Sequence, residues 1–387
     1  MNKAATFGLW SAVLLALISL GGCQRSDPVN ENLLQLDEGV FEVAGPFSHE
    51  NLTVFLLNGN EQDDRDFITL DQGLKDNVVK VSEQGQAQVN QLEIDNQSDQ
   101  YLFLQEGDRV VGGQQDRIII TSLVIPPHSG KMPLPSFCVE AGRWHGSGQF
   151  HYAMNAALAP KDVREASKVV GQQSVVWESV RGIKHVAGTS TAVNAPNTNT
   201  SLTETLDSPQ VKKLSDACAE ALKGILDEHP RAVGVVIAVN GKIEEVNVYP
   251  NQKVLSQLYP RLLQSYALQA ALAKNEASPE KAVAVADVRT FMTERKEQAE
   301  TSKREVNGDN TLMLCPCDGK VECETAYAGK VVHRQWLSKG EAAKQAEAAQ
   351  PQHGQPRQAP NPANNSDVPP QVSDPPPQQQ PPQGQKR

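Results

Sequence analysis

The first half of the chain alternates short apolar runs with turn-forming polar residues. Apolar runs occupy 51–57, 101–104 and 117–125, and the polar segment 95–99 (Asp-Asn-Gln-Ser-Asp) precedes the second of them. Short strands separated by turns every ~8–12 residues are typical of a β-sandwich or an open barrel. The pattern therefore predicts a β-rich region over 46–152.

The second half changes to helical spacing. Ser208-Pro209 marks a helix start, because serine caps the first turn and proline fits the first helical position. Asn240-Gly241 lies between two apolar runs and predicts a two-residue hairpin turn. Pro260 is expected to open another helix. The fold class is α+β: a β-rich N-terminal half is followed by a mixed helix and hairpin half over 160–338.

Both ends of the chain differ from this folded region, 46–338. The segment 341–387 contains 11 Pro and 11 Gln but no aromatic residue, no Leu and no Ile. It cannot bury enough apolar surface to offset its ordering entropy, so we expect a disordered tail. At the other end, the polar and acidic stretch 23–45 is expected to be a tether.

The N-terminus has the features of a secretion signal. The apolar run 9–20 follows Lys3 and is shorter than the ~20 residues that a membrane-spanning helix needs. It ends in Leu-Gly-Gly-Cys23, which resembles the bacterial lipobox. We therefore predict a signal peptide at 1–22 and an extracytoplasmic lipoprotein anchored to the membrane through acylated Cys23. An ordinary signal peptide with an incidental cysteine is the alternative.

The residue after the cysteine bears on which membrane holds the anchor. Gln24 replaces the aspartate that favours inner-membrane retention in enterobacteria. This favours an anchor in the outer membrane, with the protein facing the periplasm.

Charge and missing signatures exclude several function classes. A formal net charge of -10 argues against nucleic-acid binding, because phosphate contacts need a basic face. The sequence lacks the Gly-x-Ser-x-Gly, His-Glu-x-x-His and dinucleotide glycine signatures. We therefore predict no cofactor and no metal.

The densest polar cluster is 105–117. It places Asp108, Arg109 and Arg117 around the Gly112-Gly113 pair, which permits a bulge or a close approach of a ligand to backbone N–H groups. The structural alternative is a hairpin turn with solvated charges and one Asp–Arg pair.

A second cluster runs from Cys138 to His145. Glu140, Arg143 and Trp144 within it are suited to a small polar pocket, in which Arg143 binds a phosphate or carboxylate. Cys138 would be a nucleophile only with a base in reach, and a buried, inert cysteine is the more common case.

Three further cysteines lie close together near the end of the folded region. Cys315, Cys317 and Cys323 are poorly spaced for a tetrahedral metal site. A Cys315–Cys323 or a Cys317–Cys323 disulfide is favoured. Unbridged thiols are the next alternative.

Several of these pieces together resemble a known family. They are Gly107 with an acid after it, Gly112, the triplet Gln-Asp-Arg at 115–117, and the run from Cys138 to Trp144. Over 46–338 the chain is similar to the ARG and rhodanese-phosphatase-superfamily-associated protein domain family. Its name implies association with ADP-ribosylglycohydrolases and rhodanese-like phosphatases. Here aspartate stands at 108 and 116, where glutamate and asparagine are expected.

Three functions follow, in order of preference. The first is a domain that binds a small anionic ligand or a protein partner through Gln115, Asp116, Arg117, Glu140, Arg143 and Trp144. The second is an envelope scaffold, in which the tail binds another envelope protein. The third is a hydrolase acting on an ADP-ribose-like or other phosphate-containing substrate, with Asp108 or Glu140 as general base.

Overall fold

Three β-sheets and the helices packed on them form the folded part of the chain. The computed structural model describes residues 32–37, 39–88, 90–140, 150–151, 157–191, 201–274, 282–295, 300–341 and 343. The predicted signal peptide, the predicted acylation site Cys23, the predicted ligand-binding residues Arg143 and Trp144, and nearly all of the tail therefore lie outside the described residues.

The largest sheet has nine strands, which are antiparallel wherever they pair. In spatial order they are β1 (Leu33–Leu36), β2 (Gly39–His49), β3 (Leu52–Asn58), β13 (Ala232–Val239), β14 (Lys242–Val248), β18 (Lys330–Ser338), β17 (Lys320–Tyr327), β16 (Asn310–Cys317) and β15 (Ser302–Asn307). Because β3 pairs with β13, the two regions predicted from sequence share one sheet.

Two smaller sheets come from the N-terminal half. The six-stranded sheet runs β12 (Phe150–His151), β8 (Arg109–Gly112), β9 (Arg117–Ile119), β11 (Lys131–Cys138), β6 (Gln91–Asn96) and β5 (Val79–Gln88). Its edge strands β5 and β12 approach each other, so the sheet is nearly closed like a barrel. The three-stranded sheet is β10 (Leu123–Ile125), β7 (Tyr101–Leu104) and β4 (Phe67–Thr69).

The helices lie mostly in the second half, as predicted. They are α1 (Leu70–Lys75), α2 (Lys161–Glu165), α3 (Gln173–Thr191), α4 (Leu202–Asp207), α5 (Pro209–Leu222), α6 (Gln252–Leu272) and α7 (Val285–Thr293). A π-helical segment, Ala166–Val170, continues α2, and a 3-10 segment, Lys223–Leu226, follows α5. Ser208 caps α5 by accepting from the Val211 N–H, which confirms that predicted start.

The nine-stranded sheet is covered on both faces. Leu56 and Ile237 belong to a core with Leu262 of α6, while Phe55 and Val236 pack on the other face with Met292 of α7. A strand buried on both sides needs apolar residues at consecutive positions. This explains the unbroken apolar runs of β3 and β13.

The predicted tether boundary is wrong. Residues 33–36 form β1 and residues 39–45 form the first part of β2, at one edge of the nine-stranded sheet. Leu34, Phe41 and Val43 are each 1% exposed. Their burial makes this stretch part of the domain, because the apolar positions alternate as in a half-buried strand.

The predicted start of α6 is also wrong. Asn251 caps this helix by accepting from the Val254 N–H, and Pro260 lies inside it. The hairpin prediction is confirmed. Asn240 (φ 49°) and Gly241 (φ 70°) have the positive φ values of a two-residue primed turn between β13 and β14.

Candidate functional site

A tight turn after β7 organises the predicted polar segment. The Asp108 N–H donates to the Gln105 carbonyl (3.0 Å), and Gly107 has a φ of +77°. A Cβ atom at position 107 would lie 2.4 Å from Cδ of Arg164. Glycine is therefore required for both backbone conformation and close packing, and the turn carries the acids Glu106 and Asp108 into the interior.

Glu106 belongs to a buried group of charges that we call the inner network. The network consists of Glu106, Arg164, Lys168, Glu245, Asn247, His333 and Gln335, all at most 3% exposed. Arg164 Nη1 donates to Glu245 Oε1 (2.7 Å) and Glu106 Oε1 (2.9 Å), and Lys168 pairs with Glu106. The charges of two acidic and two basic side chains thus cancel on the α6 face of the nine-stranded sheet.

The inner network holds its groups in fixed protonation states. Burial opposes ionisation of Glu245, but Arg164 outweighs this and lowers its pKa to about 2. Burial lowers the pKa of His333 to about 3, so this imidazole is neutral and its Nε2–H donates to Asn247 Oδ1 (3.1 Å). With every charge paired and no group titrating near neutral pH, the inner network is best suited to specifying the fold.

Asp108 belongs to a second group, the outer cluster, formed by Asp71, Asp108, Arg109, Asp207 and Arg261. Arg261 bridges two acids, with Nη1 2.7 Å from Asp108 Oδ1 and Nε 2.9 Å from Asp71 Oδ2. Arg109 Nη2 donates to Asp207 Oδ1 (3.0 Å). The cluster reaches the surface, because the side chains of Asp71 and Asp207 are 19% and 34% exposed.

The outer cluster contains a carboxyl group that titrates near neutral pH. Burial raises the pKa of Asp71 to about 6, against the attraction of Arg261. Burial also raises the pKa of Asp108, whose Oδ2 accepts from the Gln105 N–H (2.8 Å). Asp108, the predicted weak candidate for a general base, is fully buried and both of its oxygens are bonded.

The structure brings together the predicted ligand-binding residues that it describes. The Gly112 N–H donates to Asp116 Oδ1 (2.8 Å), and the Asp116 N–H donates to Glu140 Oε2 (3.3 Å). Arg117 Nη1 donates to the Gln115 carbonyl (3.1 Å). We call Gln115, Asp116, Arg117 and Glu140 the Arg117 cluster. All of them are at most 6% exposed, and Arg143 and Trp144 follow Glu140 in the sequence.

Cys138 lies next to the Arg117 cluster but is not a nucleophile. It pairs in register with Arg117 across β9 and β11, and its backbone is bonded twice to Gln173. Burial raises the pKa of its thiol to about 12. A thiolate is the reactive form, so this cysteine is inert.

The predicted disulfides to Cys323 are wrong. The β16–β17 register sets Cys317 opposite Lys320, Cys315 opposite Glu322, and Leu314 opposite Cys323. Side chains alternate along a strand, so Cys323 points to the opposite face from the other two cysteines. Cys315 and Cys323 are unbridged thiols.

Sequence reasoning missed the partners of the acids. Arg164 and Lys168 lie four residues apart on a helical stretch, and Glu245 alternates with Val246 on β14. An acid at an inward-facing strand position was the available signal. That signal does not identify Glu245 as buried unless one already knows that both faces of the sheet are covered.

Comparison with known proteins places the domain. The family model described as ARPP-1, the ARG and Rhodanese-Phosphatase-superfamily-associated Protein domain, matches residues 41–337. The chain belongs to the ARPP-1 family. The ARPP-1 match begins within β2 and ends within β18, so it includes the inner network, the outer cluster and the Arg117 cluster.

Further comparisons add no named activity to the ARPP-1 domain. No curated protein and no solved structure matches the chain. Within the described ranges, no helix has the length and apolar character to cross a bilayer, and no set of three or more His, Cys, Asp or Glu side chains is arranged for a metal ion.

Proposed function

We propose that this chain is an extracytoplasmic lipoprotein, anchored through Cys23, whose ARPP-1 domain binds a small anionic ligand at the Arg117 cluster. The anchor is supported by the apolar run 9–20 and the small residues before Cys23. Binding is supported by one observation above all. Two separate segments meet beside a buried arginine: the Asp116 N–H donates to Glu140 Oε2, and the guanidinium group of Arg117 donates to the Gln115 carbonyl.

The bonding within the Arg117 cluster favours binding over catalysis. Asp116 and Glu140 accept from backbone N–H groups, and Glu83, 3.9 Å from Arg117, accepts from the Gln114 N–H (2.9 Å). Carboxylates engaged in this way hold the loop in position, and Arg117 is the cation that they surround, with Glu83 as one ion-pair partner. Arg143 supplies the second positive charge of the proposed site, and Trp144 its apolar wall.

The hydrolase alternative ranks lower. A general base must reach the proton that it removes, and Asp108 is fully buried with Arg261 on one oxygen. Glu140 accepts a backbone hydrogen bond in the Arg117 cluster. The scaffold alternative depends on the tail, which binds another envelope protein in that proposal.

A thermal-shift screen of the full chain in detergent tests the proposal. A panel of ADP-ribose, nucleotides and inorganic phosphate should include a compound that raises Tm, because a ligand at 100 Kd adds ~2.7 kcal/mol of stability. Arg117→Gln should abolish the shift. Arg231→Gln is the matched control, since Arg231 is 68% exposed and forms a surface ion pair with Glu42 (3.1 Å). No shift with any compound would refute binding of these ligand classes.

The anchor is tested separately. Cys23→Ala should move the protein from the membrane fraction to the soluble fraction, because the lipid chains hold the chain by apolar burial. A variant that still partitions with membranes would refute the lipoprotein assignment.

A further inference from the structure

The outer cluster contains buried hydrogen-bonding groups that its own residues leave unused. Arg109 is buried and donates from Nε to the Ala157 carbonyl (3.0 Å) and from Nη2 to Asp207, yet its Nη1 has no hydrogen-bond partner among the described residues. In the turn that carries Asp108, Oε1 and Nε2 of the fully buried Gln105 also have no hydrogen-bond partner within the part of the chain that the structure describes. Buried polar groups are almost always bonded, so each such group requires an explanation.

Two guanidinium groups meet in this cluster. Burial lowers the pKa of Arg109, and the positive charge of nearby Arg261 lowers it further despite the attraction of Asp207. Asp71 lies within the field of both arginines, and its carboxylate, 19% exposed, pairs with Nε of Arg261, which is 6% exposed. The carboxylate of Asp71 thus occupies the position that an external anion would take.

We propose that the outer cluster is a binding site for small carboxylate-bearing molecules, in which protonated Asp71 releases Arg261 and the incoming carboxylate binds Arg261 and Arg109 Nη1. This site is separate from the Arg117 cluster and does not depend on the function proposed for it. Binding consumes one proton, because Asp71 becomes a neutral acid as the external carboxylate enters.

Counting charges shows why protonation and binding are linked. Asp71, Asp108 and Asp207 oppose Arg109 and Arg261, which gives a sum of -1, and Lys212, 3.8 Å from Asp207, brings the sum to zero. With Asp71 protonated the sum is +1. Asp116, which also acts on Arg109, adds one negative charge in both states, so protonation of Asp71 makes the site more favourable to a monoanion by one unit of charge.

The other charged side chains around Asp71 do not set its protonation state. β4 and β7, which pack on α1, have no charged side chains. β5 carries Lys80, which is exposed, and Glu83, which binds the Gln114 N–H. Lys75 lies at the opposite end of α1 and is exposed. Arg261, Asp108 and Arg109 are the groups that act on Asp71.

Calorimetric titration of the full chain with formate tests the proposal, because formate stays a monoanion from pH 5 to 7.5. The pKa of Asp71, about 6, leaves about 0.9 of the group protonated at pH 5 and about 0.03 at pH 7.5. Formate should therefore bind about 30-fold more tightly at pH 5, at constant ionic strength with chloride as the balancing anion. At pH 7.5 the wild type should take up about one proton per formate.

Two variants distinguish a ligand-binding role of the outer cluster from a purely structural ion pair. Asp71→Ala should bind formate equally at both pH values with no proton uptake, while Asp66→Ala, which alters an exposed acid paired with Lys253, should behave as wild type. Arg117→Gln should also leave formate binding unchanged, so failure of one proposal does not imply failure of the other. Formate binding that is independent of pH in the wild type, or unaffected by Asp71→Ala, would overturn the proposal.

Discussion

The inner network makes a quantitative prediction about Glu245. Its side chain is fully buried and accepts from Arg164, Asn247 and Gln335. Glu245→Gln preserves the shape but removes the negative charge that Arg164 and Lys168 face. Because Arg164 then keeps only Glu106 as a counter-ion and Glu106 is shared with Lys168, the variant leaves a buried positive charge without compensation.

The magnitude follows from the pKa of Glu245. Its fall from the usual 4.5 to about 2, at ~1.36 kcal/mol per pKa unit, corresponds to about 3 kcal/mol of folding free energy. A carboxyl group whose pKa is lower in the folded protein than in the unfolded chain stabilises the fold at pH values above its pKa in the unfolded chain. This stabilisation is complete above pH 4.5 and is lost as the pH falls towards about 2. At pH 7 we therefore expect Glu245→Gln to lower the free energy of unfolding by about 3 kcal/mol and Tm by roughly 6 °C.

Urea unfolding followed by circular dichroism, at several pH values between 3 and 7, measures this difference. Glu244→Gln is the matched control, since Glu244 is the next residue on β14, lies 20% exposed and pairs with Lys161 (2.8 Å). We expect it to cost less than about 1 kcal/mol. The reasoning is refuted if Glu245→Gln costs no more than Glu244→Gln, or if its cost at pH 3 equals its cost at pH 7.

The remaining predictions concern four residues other than Glu245 and its control Glu244. In urea unfolding, Asp71→Asn should stabilise the protein by up to about 3 kcal/mol at pH 7.5 and have little effect near pH 4. The reason is that a carboxyl group with a raised pKa destabilises the fold as the pH rises from 3.8 through about 6. Gly107→Ala should lower stability by at least about 2 kcal/mol in the same assay, since it combines a φ of +77° with a clash against Arg164; unchanged stability would contradict this. Phe41→Ala should cost about 3–5 kcal/mol, whereas a tether residue would cost nothing. Cys138 should resist iodoacetamide at pH 8 in the native state, as peptide mapping by mass spectrometry will show, and rapid alkylation would contradict its burial.

Local signals in the sequence predicted much of the fold. The Ser208-Pro209 cap and the Asn240-Gly241 turn act over a few residues, so they could be recognised without the rest of the chain. The order of strands could not be predicted, because β3 and β13 are brought together from positions more than 170 residues apart. Pro260 does not mark the start of α6, because a proline is tolerated within a long helix whose start is capped elsewhere.

The sequence indicated the polar residues of the candidate site, but it did not indicate that they are divided between separate groups of charges. The segment 105–117 was recognised as one polar cluster, yet Glu106 and Asp108 enter two different groups of charges. Their partners Arg164 and Arg261 come from distant helices, and single residues in a helical stretch carry no sign of a remote acid. The segments of Arg117 and Glu140 lie side by side because β9 pairs with β11 and the Asp116 N–H donates to Glu140 Oε2.

Calorimetric titration at the Arg117 cluster tests the central claim most directly. The full chain is titrated at pH 7.5 with the compound that gives the largest thermal shift, alongside Arg117→Gln and Arg231→Gln. We predict a saturable, one-to-one heat for the wild type and for Arg231→Gln, and none for Arg117→Gln with a native circular dichroism spectrum. Equal affinities in all three proteins would contradict a ligand site at Arg117.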